Sequence, residues 1–160
     1  MVGVMQLSPH FSDQEYGVVG ASPQVIANAT QHANVLMEPI RAKFGPVNCH
    51  DGLRTPAENA ECGGVKDSQH LFLGENSALD FDALPNPYQA VFDWIRLESG
   101  LPFDQVILEY HPGTQEPRCV HISYNGALTT QRREAMTGDT NGQSGYTAVA
   151  VGPVQQGIAS

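Results

Sequence analysis

The 160-residue chain is short of cysteine, of basic residues and of long apolar runs. Its three cysteines are Cys49, Cys62 and Cys119. An odd number in a chain without a signal sequence argues against a disulfide framework. No Cys-x-x-Cys pair occurs, which argues against a thiolate zinc cluster. Lys and Arg total 8 against 17 Asp and Glu, for a formal net charge of −9. Such a chain does not hold nucleic acid or an anionic membrane by bulk charge. No apolar run approaches the roughly 20 residues needed to cross a bilayer, so no membrane insertion is expected. Met1-Val2-Gly3-Val4-Met5-Gln6 lacks the basic region and apolar core of a signal peptide, so synthesis in a cytoplasm is expected. Only 16% of residues are charged, too few for a disordered solvating chain, and 41% are hydrophobic. That is one ordinary domain with a single core, expected to be a monomer.

The elements follow from local signals. Ser12 and Glu15 have the spacing of a capping box. Ser22-Pro23 starts a helix, with a hydroxyl cap and proline at the first position. Val25, Ile26, Ala29, Ala33, Leu36, Met37, Ile40 and Phe44 then mark one apolar face. Pro39 should kink or split this helix, and Gly45-Pro46 ends it. His32 on it reads as a surface or packing histidine rather than a ligand. Thr55-Pro56 predicts a short helix to Glu61, stopped by Gly63-Gly64. Residues 46–49 and 78–81 read as strands, and 88–98 as a second amphipathic helix closed by Gly100. Residues 103–110 and 120–124 are predicted to pair as an antiparallel hairpin around the loop 111–118. Alternation puts Gln105, Ile107 and Glu109 on one face and Val106 and Leu108 on the other. If the apolar faces match, Glu109 and His121 share a face. The predicted class is α+β, a small, mainly antiparallel sheet carrying Asp80 and His121, with helices 23–44 and 88–98 packed against it. Residues 1–136 form the domain. Residues 137–160, rich in Thr, Gly, Ser and Gln, read as a weakly ordered tail or strand-like appendage.

The stretch from Asp51 to Phe81 is rich in turn formers and holds Arg54, Asn59, Ser68, His70 and Asp80. Chemistry is often carried on such loops. Two imidazoles and one carboxylate can hold a catalytic zinc, and His70, Asp80 and His121 supply that set. Each has an ordinary alternative: an exposed loop histidine for His70, a turn or capping role for Asp80, a hydrogen-bonded sheet histidine for His121. Spacing does not choose between them.

A run of motifs bears on the choice. In order they are Arg54-Thr55-Pro56-Ala57, Asn59, Gly63-Gly64-Val65, Ser68-Gln69-His70, Gly74, Ala78-Leu79-Asp80-Phe81, Phe103-Asp104-Gln105-Val106-Ile107, Glu109 and Val120-His121-Ile122-Ser123-Tyr124. From about Phe11 to Tyr124 the chain closely resembles the zinc D-alanyl-D-alanine carboxypeptidases and phage L-alanyl-D-glutamate endolysin peptidases. These share a fold group with lysostaphin-type peptidases and the hedgehog signalling domain. The resemblance implies zinc at His70, Asp80 and His121, Glu109 as the base, and Arg54 holding substrate or developing negative charge. Ser68 orients substrate or supports its loop. The implied reaction is amide hydrolysis in peptidoglycan stem peptides. The implied setting is the cell wall after release from the cytoplasm, or a virion. The rival reading is a non-catalytic, metal-stabilised structural or binding domain such as a virion component. The chain departs from the family pattern in places. The segments before Asp80 and before His121 are long. Arg118 stands where many relatives have an acid, which leaves Glu116 as an alternative base, or none. Cys119 stands where relatives often have an aromatic or histidine. His111 and Glu116 are spare candidates in the loop.

Overall fold

The structure is a computed structural model and describes residues 3–140 and 145–154. A two-stranded hairpin, β1 (Gln6–Ser8) and β2 (Phe11–Ser12), opens the chain. Helix α1 (Pro23–His32) starts where the sequence predicts, with the Ser22 hydroxyl accepting from Val25 N–H. It runs through a π-helical turn, Ala33–Met37, into α2 (Glu38–Phe44). Pro39 explains that turn. Proline has no N–H for the helical ladder, and the helix widens just before it, with Glu38 N–H reaching back to Ala33 O. So the helix is re-wound rather than broken. Strand β3 (Asn48–Asp51) precedes α3 (Pro56–Glu61), whose Thr55 and Glu58 form a complete capping box. A single 3₁₀ turn, Gln69–Leu71, leads to β4 (Asn76–Asp82). Helix α4 (Tyr88–Asp93) continues as a second π turn, Trp94–Glu98. Strands β5 (Gln105–Tyr110), β6 (Pro117–Asn125), β7 (Glu134–Asp139) and β8 (Tyr146–Val149) complete the chain.

The class is α+β. The sheet has six strands in the order β3-β4-β6-β5-β7-β8. It is larger than expected and mixed, because β5 and β7 run parallel. The reason is connectivity. Both edges of β6 are already occupied, by β4 and β5. The chain leaving β6 must therefore pass the start of β5 and join its free edge, which fixes a parallel direction. Arg133 N–H to Phe103 O and Glu134 N–H to Asp104 O bind that crossing.

The sequence boundary at 136/137 falls inside β7, so the expected tail is in part sheet. β8 is mostly exposed and brings little apolar burial. Its order comes from main-chain bonds to β7, which a Thr- and Gly-rich sequence does not advertise. Residues 141–144 and 155–160 of that tail lie outside the described residues.

Side chains sort by strand alternation. Leu79, Phe81, Val106, Leu108, Val120 and Ile122 face the helices and are buried against Ala29, Ala33, Leu36, Met37, Ile40, Phe92 and Ile95. The opposite face carries Asp80, Ile107, Glu109, Cys119 and His121. His32 is fully buried in the first layer. Its Nδ1 lies 2.6 Å from the Tyr16 hydroxyl and its Nε2 2.9 Å from Ile122 O. It is therefore a packing histidine, bonded at both ring nitrogens. No helix among the described residues is long and apolar enough to cross a membrane.

Candidate metal centre

Sheet register places two of the three expected ligands. Asp80 on β4 pairs directly with His121 on β6, so their side chains stand together on the face away from the helices. His70 comes from outside the sheet, on the 3₁₀ turn. The Ser68 hydroxyl accepts from His70 N–H, and Phe72 closes the turn at φ 50° with its ring buried. Arg54 N–H bonds His70 O at 2.8 Å, tying the turn to the segment after β3. Gly52 lets the same segment lie against the Tyr16 backbone. A Cβ there would sit 2.3 Å from Tyr16 O.

The three donors converge. His70 Nε2 lies 3.1 Å from His121 Nδ1 and 3.2 Å from Asp80 Oδ1, and His121 Nδ1 lies 3.0 Å from Asp80 Oδ1. His70 Nδ1 lies 2.8 Å from Gly52 O, a carbonyl that can only accept. That fixes a proton on Nδ1 and aims Nε2 into the triangle. Burial pushes the His121 imidazole below its ordinary pKa. Burial alone would raise the Asp80 carboxyl, but the two imidazoles hold it far below the usual range. Burial opposes charge on His70 too, but the Asp80 carboxylate outweighs it and raises the His70 imidazole above its ordinary pKa. A divalent metal, which requires an ionised carboxylate and two neutral imidazoles, would therefore bind in competition with a proton on His70. Four-coordinate zinc with bonds of about 2.0–2.1 Å spaces its donors about 3.3 Å apart. The observed triangle is within a few tenths of an ångström of that, so the residues fit the metal.

Asp80 is shared. Its Oδ1 faces the imidazoles, and its Oδ2 lies 3.5 Å from Arg54. Arg54 is buried, bonds Asp51 through Nε at 2.5 Å and leans on Asn59 Oδ1. It also lines a cavity of about 310 Å³ with Asp51, Cys62, His111, Pro112, Arg118 and Thr140.

Glu109 stands on β5 opposite Cys119, two residue pairs along from Ile107 and His121, on the face that alternation predicts. It is 4% exposed. Burial, then the Asp80 charge, push its pKa up to about 7. An oxygen of Glu109, one of Asp80 and the Cys119 sulfur lie within 4.8 Å of one another. Burial holds Cys119 as a neutral thiol, and its S–H points at Glu109 Oε2 from 4.0 Å. Glu109, His70 and His121 line a cleft of about 250 Å³ with Ser68, Gln105, Ile107 and Tyr146, among others.

Other expected residues are placed differently. Glu116 is exposed in the 111–118 loop and does not line this cleft. His111 and Arg118, also exposed, line the Arg54 cavity instead. Ser68 both caps the His70 turn and lines the cleft.

Two contributors have no local sequence signal. Asp104, fully buried, takes a bidentate Arg132 at 2.8 Å and 2.8 Å and accepts from Gln69 Nε2 at 2.6 Å. It thereby holds the residue next to His70 against the start of β5. Asp104 stood in a quoted motif, but nothing local revealed its partners. Tyr146, on the edge strand β8, is the other.

The Peptidase M15 family model matches residues 5–111. The chain belongs to the Peptidase M15 family. The matched span includes His70, Asp80 and Glu109 and stops before β6; the sheet register described above brings His121 beside Asp80. Neither a curated protein nor a solved structure matches the chain.

Proposed function

We propose that this M15 peptidase is a zinc enzyme that hydrolyses an amide bond in peptidoglycan stem peptides, in cell-wall lysis or remodelling. The observation that carries the reading is the triangle of His70 Nε2, Asp80 Oδ1 and His121 Nδ1 with the Glu109 carboxylate beside it. These three residues would hold the metal. The chemistry zinc supplies when bound is Lewis acidity toward water and the scissile carbonyl.

The chain's own residues do the rest. Glu109 takes a proton from the attacking water on its carboxylate and passes it to the leaving amine nitrogen. Its raised pKa suits both halves of that task, because both protonation states are populated near neutrality. Arg54 steadies Asp80 from behind and presents positive charge to the neighbouring cavity, where a substrate carboxylate can pair with it. Ser68 and Gln69 hold the His70 turn.

The deciding experiment is metal analysis of the purified protein, then mass spectrometry of peptidoglycan after incubation. One equivalent of zinc and a discrete peptide product support the reading. The product mass separates loss of a terminal D-alanine from an internal L-Ala-D-Glu cut. Zinc without cleavage of any peptidoglycan type would establish a non-catalytic, metal-stabilised domain instead.

A further inference from the structure

The C-terminal hairpin reaches the cleft. Glu109 on β5 pairs with Gly138 on β7, and Gly138 pairs with Tyr146 on β8. Residues directly opposite across strands project to the same face, so Glu109, Gly138 and Tyr146 form one row on the site face. Glu109 and Tyr146 are two strand spacings apart, about 10 Å between backbones. That gap would normally be filled by the residue between them. Here it is a glycine. A Cβ on Gly138 would lie 2.7 Å from Tyr146 Cδ1, so the ring lies over the bare backbone of β7.

The ring lines the same cleft as His70, Glu109 and His121. Tyr146 is 36% exposed, so the cleft side remains open to a ligand. Its hydroxyl makes no hydrogen bond among the described residues. Burial, Glu109 and Asp80 all push the phenol above its ordinary pKa, so it stays a donor. The cleft thus has an unused O–H on its β8 side, across from the Glu109 carboxylate and the imidazoles and apart from the donors of Ser68, Gln69, Gln105 and Arg132. A stem peptide brings main-chain carbonyls, which need donors when they leave water.

We propose that Tyr146 is a substrate-positioning residue: its ring walls the β7 side of the cleft, and its hydroxyl donates to a main-chain carbonyl of the bound stem peptide. The role rests on the peptidase reading above. It extends the site beyond the residues matched by the family model, onto strand β8.

The test is steady-state kinetics of the full-length zinc-loaded protein on a purified stem peptide, for the parent, Tyr146→Phe and Tyr146→Ala. Tyr146→Phe keeps the ring and removes the donor. The expected result is a KM raised about tenfold with kcat within about twofold, the pattern of a contact made equally in ground and transition states. Tyr146→Ala is expected to raise KM by on the order of a hundredfold, with zinc content and melting temperature as in the parent. A KM for Tyr146→Phe within about twofold of the parent overturns the hydroxyl's role, and so does a loss confined to kcat. A parent that cleaves no stem peptide overturns the substrate class, and this role with it. An active parent with an indifferent Tyr146→Phe overturns the role alone.

Discussion

Glu109→Gln separates what the base does for chemistry from what it costs the fold. The substitution keeps size and polarity but removes the titrating group. Glu109 is outside the His70–Asp80–His121 triangle, so the variant should bind one zinc like the parent. Hydrolysis should fall by on the order of a hundredfold or more, the usual scale for a general base. Stability should move the other way. The folded-state pKa is raised from 4.5 to about 7. In the unfolded chain this carboxyl loses its proton near 4.5, and in the folded chain only near 7. The unfolded state therefore binds fewer protons across that window, and stability falls as pH rises through it. A shift of this size corresponds to about 3 kcal/mol. Metal-free Glu109→Gln should thus be more stable than the metal-free parent by up to that amount above pH 7, and equal to it below pH 4.5. Urea denaturation of both metal-free proteins between pH 4 and 8 reads this directly. Identical pH profiles would show that Glu109 is not held in an apolar, electronegative site. Retained hydrolysis would remove it as the base.

Three further outcomes are expected. His121→Ala should lose stoichiometric zinc while remaining folded, read by elemental analysis beside circular dichroism, because two donors do not close the site. Glu116→Gln should keep hydrolysis within about threefold of the parent in the same kinetic assay, since its carboxylate does not line the cleft; a hundredfold loss would move the base to the loop. His32 has its pKa lowered from 6.5 to about 4, mainly by burial, so the unfolded chain takes up the proton first as pH falls. Stability should then drop by about 3 kcal/mol between pH 6.5 and 4, and His32→Gln should remove that part of the slope in urea titrations.

The parts of the site that could be read in the sequence are those fixed by short-range rules. The alternation of Val106, Leu108, Val120 and Ile122 placed Glu109 and His121 on one face, and the hairpin register keeps them there, with Cys119 opposite Glu109 and Ile107 opposite His121. Ser22-Pro23 and Thr55-Pro56 began helices where predicted, because a cap is a local bond. Pro39 gave a disturbance in the right place but not its form, since a π turn absorbs a missing N–H without splitting the helix. What was hidden depends on partners distant in the chain. Asp104 meets Arg132 and Gln69 across 28 and 35 residues. His32 could be called packing or surface, but only its two bonds, to Tyr16 and Ile122, decide which. The reading of 137–160 left a weakly ordered tail and a strand-like appendage both open, because the composition lacks an apolar stripe to choose between them. An edge strand held by main-chain bonds needs none.

The arrangement also explains why the ligands differ in kind. Asp80 and His121 are adjacent on central strands whose other face is clamped by the helices, and Ile122, next to His121, is pinned through its carbonyl by buried His32. Their geometry is set by folding alone. His70 is on a single 3₁₀ turn in a long irregular segment, and it reaches the sheet through a few bonds. Its ring is held by Gly52 O, its backbone by Arg54 and Ser68, and its neighbour Gln69 by Asp104. In the proposed zinc site, metal affinity would depend most on how well this turn is held, since any slack there must be removed on binding. Asp104 thus supports the candidate metal centre as Ser68 does, though it touches none of the three donor residues. The positioning role proposed for Tyr146 would put specificity on the opposite rim. Tyr146 hangs on an edge strand, where sequence change costs the core little, while the sheet beneath it keeps Glu109 and the metal ligands in register.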